Sequence, residues 1–428
     1  MLKFGAQRLR SSALLRDSAW LFGGQGLSLI VQGSYFILLA RLLGTREYGV
    51  LAAVTALITL VSQYSTLGSG YVLVKYVSQK PTHFRKYWGN VITVTAICGS
   101  LLIVGLTSLA PRILKGTSWK LVFLLACSEC LCNQVTLCCS QVFQAFQVMR
   151  LTAAVSLLAN ACRLIVVAGM LTWLHHADAL QWARASLSVS LIAVGIAITI
   201  VTVRFGFPTL NGRLFFARFL EGTVFAVSGS TTAAYNDLDK AMLGHYGMTV
   251  GAGIYTMAYR VVDICSTPIR AIHAAAFPRF FRLGMGGAAN TEPFARKILN
   301  KTSLIGAAAA AGMLLCSPLI PLFVGRGFSA SVDALRWLCL IPLFRSFHLS
   351  AGDAITGAGF QGYRTVYQFI ATAANFAMNA YLIPRYSWQG AAWASLVTDG
   401  GLGAASWITL RILSRRQCAD RRLIEPAC

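Results

Sequence analysis

The sequence predicts an all-α integral membrane protein with about twelve transmembrane helices, and three observations carry that reading. Of its 428 residues 56% are hydrophobic and only 12% charged, whereas a soluble domain carries roughly 25% charged residues. Mean hydropathy is +0.63. Apolar runs of the roughly 20 residues needed to cross about 30 Å of hydrocarbon recur along the whole chain, and basic residues collect in the short segments between them.

The first element is the stretch MLKFGAQRLRSSALLRD, residues 1–17. It resembles the basic region of a secretory signal, but the run behind it is of spanning length and has no A-x-A-like cleavage site before Arg41. It therefore reads as a basic cytoplasmic segment followed by a retained first helix. Spans follow at 18–40, 49–73, 88–110, 121–148, 151–174, 180–203, 214–236, 250–277, 302–324, 334–358, 365–383 and 388–410. With the N-terminus inside, 23 Lys and Arg residues fall on the cytoplasmic side and 10 opposite, which places both termini in the cytoplasm. The formal charge of +23 is thus mainly a topology signal and an attraction to anionic lipid headgroups. Nucleic acid is not an expected partner, because the basic residues lie in separate short loops rather than on one folded surface.

FQVMR at Phe146–Arg150 joins spans four and five, and FQGYR at Phe360–Arg364 joins spans ten and eleven. Each is followed about three turns later by an asparagine, Asn160 or Asn375. The segments ARLLGTREYGVL (Ala40–Leu51) and KAMLGHYGMTVGAGIY (Lys240–Tyr255) match in the same way, each with a Leu-Gly helix stop and a glycine opening the next helix. The chain therefore reads as a repeat: a six-helix bundle at 18–203, a cytoplasmic connection at 204–213, a second bundle at 214–410, and a basic tail at 411–428. Six spans per half is an even number, so the halves share one orientation and are expected to be related by a pseudo-twofold axis along the membrane normal, around a central cleft suited to alternating access.

On ARLLGTREYG, NDLDKAMLGHYG followed by GIYTMAYRV, LSAGDAITGAG at Leu349–Gly359 and NAYLIPRYSWQGAAWAS, the sequence resembles the polysaccharide-transporter branch of the multidrug/oligosaccharidyl-lipid/polysaccharide exporter superfamily, which includes O-antigen and exopolysaccharide repeat-unit flippases. The last motif, a Pro-Arg-Tyr turn before Gly-Ala-Ala, is the most specific, and together the motifs cover both halves. The resemblance implies a non-enzymatic transporter of the bacterial inner membrane, without a cofactor. It would move an undecaprenyl-pyrophosphate-linked oligosaccharide from the cytoplasmic to the periplasmic leaflet, driven by an ion gradient or the membrane potential. It also implies a polysaccharide polymerase and chain-length machinery as partners, beside membrane lipids.

A sugar headgroup bearing pyrophosphate needs hydrogen bonds and positive charge to cross hydrocarbon. The spans contain Arg163, Arg260, Arg270 and Arg345. Arg260, Asp263, Thr267 and Arg270 fall at i, i+3, i+7 and i+10 of span eight, on one stripe. These five charged residues, Arg163, Arg260, Asp263, Arg270 and Arg345, are the candidate cleft lining. A plainer account is that Arg260 and Asp263 neutralise each other within one helix while Arg270 snorkels to the cytoplasmic end. Glu129 and Asp353 read as the remaining intramembrane acids, each an ion-coupling candidate or a helix–helix hydrogen bond, and Asp239 is a third coupling candidate. Gly23, Gly24 and Gly26 in span one, and Gly400, Gly401 and Gly403 in span twelve, are candidate hinges or close-packing sites.

Seven of the 12 cysteines (Cys98, Cys127, Cys130, Cys132, Cys138, Cys139 and Cys162) lie in or beside spans three to five, where they behave as small apolar side chains. No metal site is expected from Cys127, Cys130 and Cys132, which lack a polar outer shell. Asp237-Leu238-Asp239 spells the D-x-D of metal-dependent glycosyltransferases, but it ends a span beside Lys240, with no nucleotide-binding domain in the chain. Two other functions compete with the flippase. A multidrug antiporter would favour an apolar, acid-lined cleft, and here Arg outnumbers Asp and Glu within the spans. A membrane polymerase or ligase usually has a long extracytoplasmic loop, whereas the longest connection here, about 279–301, is cytoplasmic.

Overall fold

A computed structural model describes the backbone of residues 2–424 apart from 115, 175, 210 and 211, and the side chains from residue 28 to 417 apart from those four, 149, 212, 213, 215 and 216. Gly26 is also described; Gly23 and Gly24 lie outside the residues whose surroundings are described. Among the described residues the fold is all-α, with no strand. The chain forms two compact units, Met1–Gly247 and Met248–Cys428.

The first unit contains α1 (Leu2–Ser62), α2 (Ser69–Gln79), α3 (Phe84–Ile113), α4 (Trp119–Ala126), α5 (Gln134–Ala145), α6 (Met149–Leu174), α7 (Ala179–Phe205) and α8 (Gly212–His245). Spans one and two both begin in α1, which changes direction at Gly44 (φ 70, ψ 175), a conformation essentially confined to glycine. Span four is α4 and α5 joined by a π-helical segment, Cys127–Asn133. The apolar core of this unit is aromatic, built on Phe84, Tyr87, Trp88 and Phe143, with Phe146 and Phe205 stacked 4.3 Å apart beside it. Because α8 packs with α1 and with the turn Gln63–Ser65 after it, the packing boundary falls at Gly247, one helix beyond the connection read from the repeat.

The second unit contains α9 (Thr249–Cys265), α10 (Thr267–Gly284), α11 (Ala288–Cys316), α12 (Ile320–Val324), α13 (Ser331–Leu338), α14 (Ile341–Gly357), α15 (Gln361–Tyr386) and α16 (Trp388–Ile424). Spans eight and ten, read as continuous, are each two helices. The breaks fall at Ser266 and at Cys339–Leu340, each just before a proline, Pro268 or Pro342, whose missing N–H interrupts the ladder. Around α10, α11, α14 and α16 the core is made of Phe280, Ile298, Ile355, Leu410 and several alanines. The crossing of α10 and α14 is glycine-dependent: a Cβ on Gly357 would lie 2.6 Å from the carbonyl carbon of Phe280, and one on Gly284 would collide with the Gly357 carbonyl.

Among the described residues six helical segments are long and apolar enough to cross a membrane by length and composition: Ser28–Ser65, Pro81–Ile113, Trp119–Ala145, Arg150–Leu174, Ala179–Phe205 and Ala288–Val324. The other expected spans fall on helices that are short or carry charge within the run. Thus α9 and α14 have 17 residues each, and α8 carries Arg218, Glu221, Asp237, Asp239 and Lys240.

The repeat is visible locally, in a shifted register. In the first unit Val148 N–H bonds Phe143 C=O at 2.8 Å and Gln147 N–H bonds Gln144 C=O at 3.0 Å, with Gln147 at φ 58. In the second unit Phe360 N–H bonds Ile355 C=O and Gly359 N–H bonds Thr356 C=O, both at 3.0 Å, with Gly359 at φ 85. Both are Schellman helix stops. The left-handed residue is Gln147 in one and Gly359 in the other, so the FQ pairs are offset by two positions and Arg163, not Asn160, stands where Asn375 does. The Leu-Gly stop also differs between copies: Gly44 breaks α1, whereas α8 runs through Gly244 and its left-handed residue is Gly247 (φ 76).

Candidate functional site

The break in span eight builds the site. Pro268 has no N–H to offer the Ile264 carbonyl four residues back, and beside this break the Asp263 carbonyl accepts from the Thr267 hydroxyl at 3.1 Å and from Nη2 of Arg270 at 2.9 Å. Arg270 Nη2 also reaches Thr267 Oγ1 at 3.2 Å, and Arg270 Nη1 stands 3.7 Å from the Asp263 carboxylate. The opposite side of that carboxylate is held from α14, where Arg345 Nη1 donates to Asp263 Oδ1 at 2.9 Å. Arg345 Nη2 donates to the Tyr259 hydroxyl at 3.0 Å, its guanidinium lies 5.5 Å from the Tyr259 ring, and the charge of Asp399 on α16 acts on it as well.

Three of the candidate cleft residues, Asp263, Arg270 and Arg345, are therefore brought together, and burial sorts their roles. The Arg345 side chain is 7% exposed and bonded to Asp263 and Tyr259, whereas that of Arg270 is 49% exposed. A guanidinium so exposed within a spanning helix calls for water or an anion, since facing lipid costs about 2.5–3.5 kcal/mol on insertion scales. Arg270 has five N–H donors, and its two short bonds both leave from Nη2. Arg260 is partly buried on α9, before the break.

The other candidates are placed elsewhere. Arg163 on α6 donates from Nη2 to Asn133 Oδ1 at 2.9 Å, at the end of the π-helical segment that carries the half-buried Glu129. Nearby, Gln134 Nε2 donates to Ser62 Oγ at 3.2 Å, and Asn160 Nδ2 donates to Ser28 Oγ at 3.2 Å. Asp239 is buried and accepts the Lys240 backbone N–H at 2.7 Å, while Lys240 Nζ, also buried, donates to Asp237 at 2.5 Å. Asp353 on α14 meets His273 of α10 at 2.9 Å and Arg364 of α15 at 3.3 Å. Outside the spans, Lys75 donates to Glu221 at 2.5 Å, a bond that raises the Lys75 pKa above its ordinary value.

The hinge candidates sit in continuous helix. A Cβ on Gly26 or Gly401 would meet nothing within 4 Å, one on Gly400 would touch Phe344 at 3.8 Å, and one on Gly403 would approach Phe347 to 3.2 Å. Close helix approach is found instead at Gly284 and Gly357.

Sequence reasoning missed several members. Asp399, 2% exposed, and Glu221 are acids within expected spans that the reading of Glu129 and Asp353 as the remaining ones omitted. His273, Tyr259 and Arg364 carried no signal beyond their own polarity, since each matters through a partner on another helix. Among the described residues no three His, Cys, Asp or Glu side chains lie close enough to hold a metal ion.

Residues 14–284 match a family model described as polysaccharide biosynthesis protein. No curated protein sequence matches. Among solved structures the chain is similar to an inward-facing multidrug resistance MATE family transporter of the MOP superfamily, at 13% identity and TM-score 0.74, over 91% of this chain and 96% of that one. It is similar to the lipid II flippase MurJ in an inward closed conformation, at 13% identity and TM-score 0.73, over 92% and 87%. A third is a MOP superfamily transporter from Pyrococcus furiosus whose binding pocket is described as of reverse polarity, at 12% identity and TM-score 0.59, over 92% and 93%.

Proposed function

The chain belongs to the polysaccharide biosynthesis protein family, and from that premise we propose that it is a flippase, carrying a polyprenyl-pyrophosphate-linked oligosaccharide repeat unit from the cytoplasmic to the periplasmic leaflet by alternating access. The observation that carries the substrate class is the half-exposed Arg270 guanidinium beside the partly exposed Asp263 carboxylate that the buried Arg345 holds. A planar fork grips phosphate oxygens in pairs, and Arg345 fixes the carboxylate that would otherwise neutralise it. Arg260 and, in the first unit, Arg163 add positive charge along the spans. Among these residues Arg345 and Asp263 position, and Arg270 contacts the anionic headgroup.

The fold shared with a lipid II flippase supports a lipid-linked substrate, and the family description supports its use in surface polysaccharide synthesis. The distribution of Lys and Arg supports an orientation with both termini cytoplasmic. The test is leaflet transfer of a fluorescent prenyl-pyrophosphate oligosaccharide by the purified protein in vesicles.

A further inference from the structure

We propose that His273, Asp353 and Arg364 form a buried proton-binding site whose occupancy is linked to the packing of α10, α14 and α15. The inference rests on the transporter reading, which leaves the driving ion open, and it stands on the geometry of these three side chains. His273 Nδ1 lies 2.9 Å from Asp353 Oδ2, and Arg364 Nη1 donates to Asp353 Oδ1 at 3.3 Å and to Thr356 Oγ1 at 3.0 Å. His273 and Asp353 are 4% and 5% exposed. Gly352 allows the approach, because a Cβ there would sit 3.3 Å from Arg364 Nε.

The chemistry follows from hydrogen-bond roles. A carboxylate facing Nδ1 requires Nδ1 to carry the hydrogen, so in the neutral ring Nε2 is a bare lone pair. Nε2 is buried and has no hydrogen-bond partner, and the Ser350 hydroxyl one turn from Asp353 has none either. With His273 neutral, the Asp353 and Arg364 charges cancel. A proton added at Nε2 turns the site into a cation stabilised by Asp353 and opposed by Arg364.

The new N–H would be buried without an acceptor, which is costly. Any rearrangement that offers Nε2 an acceptor binds the proton more tightly than this arrangement does, and by linkage the proton favours that rearrangement. The elements concerned are those that His273, Asp353 and Arg364 tie together.

On α14 His348 is within electrostatic reach of His273 and of Arg345 and Arg364, and on α15 Tyr367 is within reach of Asp353 and Arg364. On α10 itself Arg270, one turn earlier, is turned to Asp263 of α9. From α11 the contact at this level is uncharged, Thr291 to the Ala354 carbonyl at 3.3 Å, and the adjacent Glu292 is held by Arg296.

The experiment uses the full chain, labelled with 15N at its histidine rings, in vesicles of phosphatidylethanolamine and phosphatidylglycerol, with solid-state spectra recorded from about pH 5 to 9. His273→Gln identifies the resonance. Asp353→Asn is expected to weaken proton binding about tenfold, one pH unit, while Arg364→Gln strengthens it by a similar factor. A His273 ring that keeps one charge throughout, or a midpoint unmoved by Arg364→Gln, overturns the site even if Asp353→Asn does not fold. Linkage is read by hydrogen exchange of α10 amides on either side of the midpoint: protection that changes in the wild type and not in His273→Gln is expected, and equal change in both overturns it. Neither readout uses the lipid-linked substrate, so a protein that titrates as expected but moves no prenyl-pyrophosphate sugar contradicts the flippase reading alone.

Discussion

Arg345 and Asp263 are 82 positions apart in sequence and joined at 2.9 Å, and the cation is the more buried partner, at 7% against 32% side-chain exposure. That asymmetry decides which substitution is worse. Asp263→Ala leaves a buried guanidinium short of a counter-charge, while Arg345→Met leaves a half-exposed carboxylate that still has Arg270 within 3.7 Å. Asp263→Ala should lower thermal stability in detergent more than Arg345→Met, by about 1–3 kcal/mol, and the double substitution should recover part of the loss. Equal losses that simply add would show that the pair is not a unit.

Arg270 should behave differently. Arg270→Ala is expected to leave abundance in membranes unchanged, because its side chain is half exposed, and to abolish export of surface polysaccharide. Lysine should restore export only in part, since it keeps the charge but loses the fork. Blotting of membranes beside a polysaccharide assay separates this from a structural role, in which abundance and export would fall together.

How much of this was legible in sequence depends on the range of the interaction. The helical, membrane-embedded character rests on hydropathy summed over some 20 residues, so it survives local detail. Pro268 and Pro342 were visible, yet the runs around them stayed apolar, and hydropathy alone does not register a missing N–H. The FQ match was read in its literal register, whereas the turn is set by which residue takes positive φ, and Gln147 and Gly359 do so two positions out of step. Partnerships such as Asp263 with Arg345 or Asp353 with His273 cross between helices, and a single sequence holds no trace of them.

Two glycines give opposite controls. Gly357→Ala would place a methyl group 2.6 Å from Phe280 backbone atoms and should abolish accumulation of the protein. Gly44→Ala meets no neighbour, so its cost is conformational, about 1–3 kcal/mol from positive φ with extended ψ, read as a lower unfolding temperature. Gly400→Ala and Gly401→Ala, which have room, should raise helix stability by about 1 kcal/mol each. If α16 bends during the cycle they slow export as well, and unchanged export removes the hinge.

Orientation is checked with cysteine at Lys80 or Arg296, exposed positions on the side richer in Lys and Arg, and at Arg385 opposite, in a background lacking native thiols. In intact cells a membrane-impermeant maleimide should label only the Arg385 position, and the reverse pattern would invert the topology.

The most direct measurement of the central claim is leaflet transfer in vesicles containing the purified full-length protein and a fluorescent prenyl-pyrophosphate oligosaccharide, followed by accessibility to an external quencher, with a cationic dye as competitor cargo. Transfer of the lipid-linked sugar by the wild type, its loss in Arg270→Ala, and no movement of the dye are the expected results. Efflux of the dye with no transfer of the sugar would contradict the flippase reading and make the protein a multidrug antiporter.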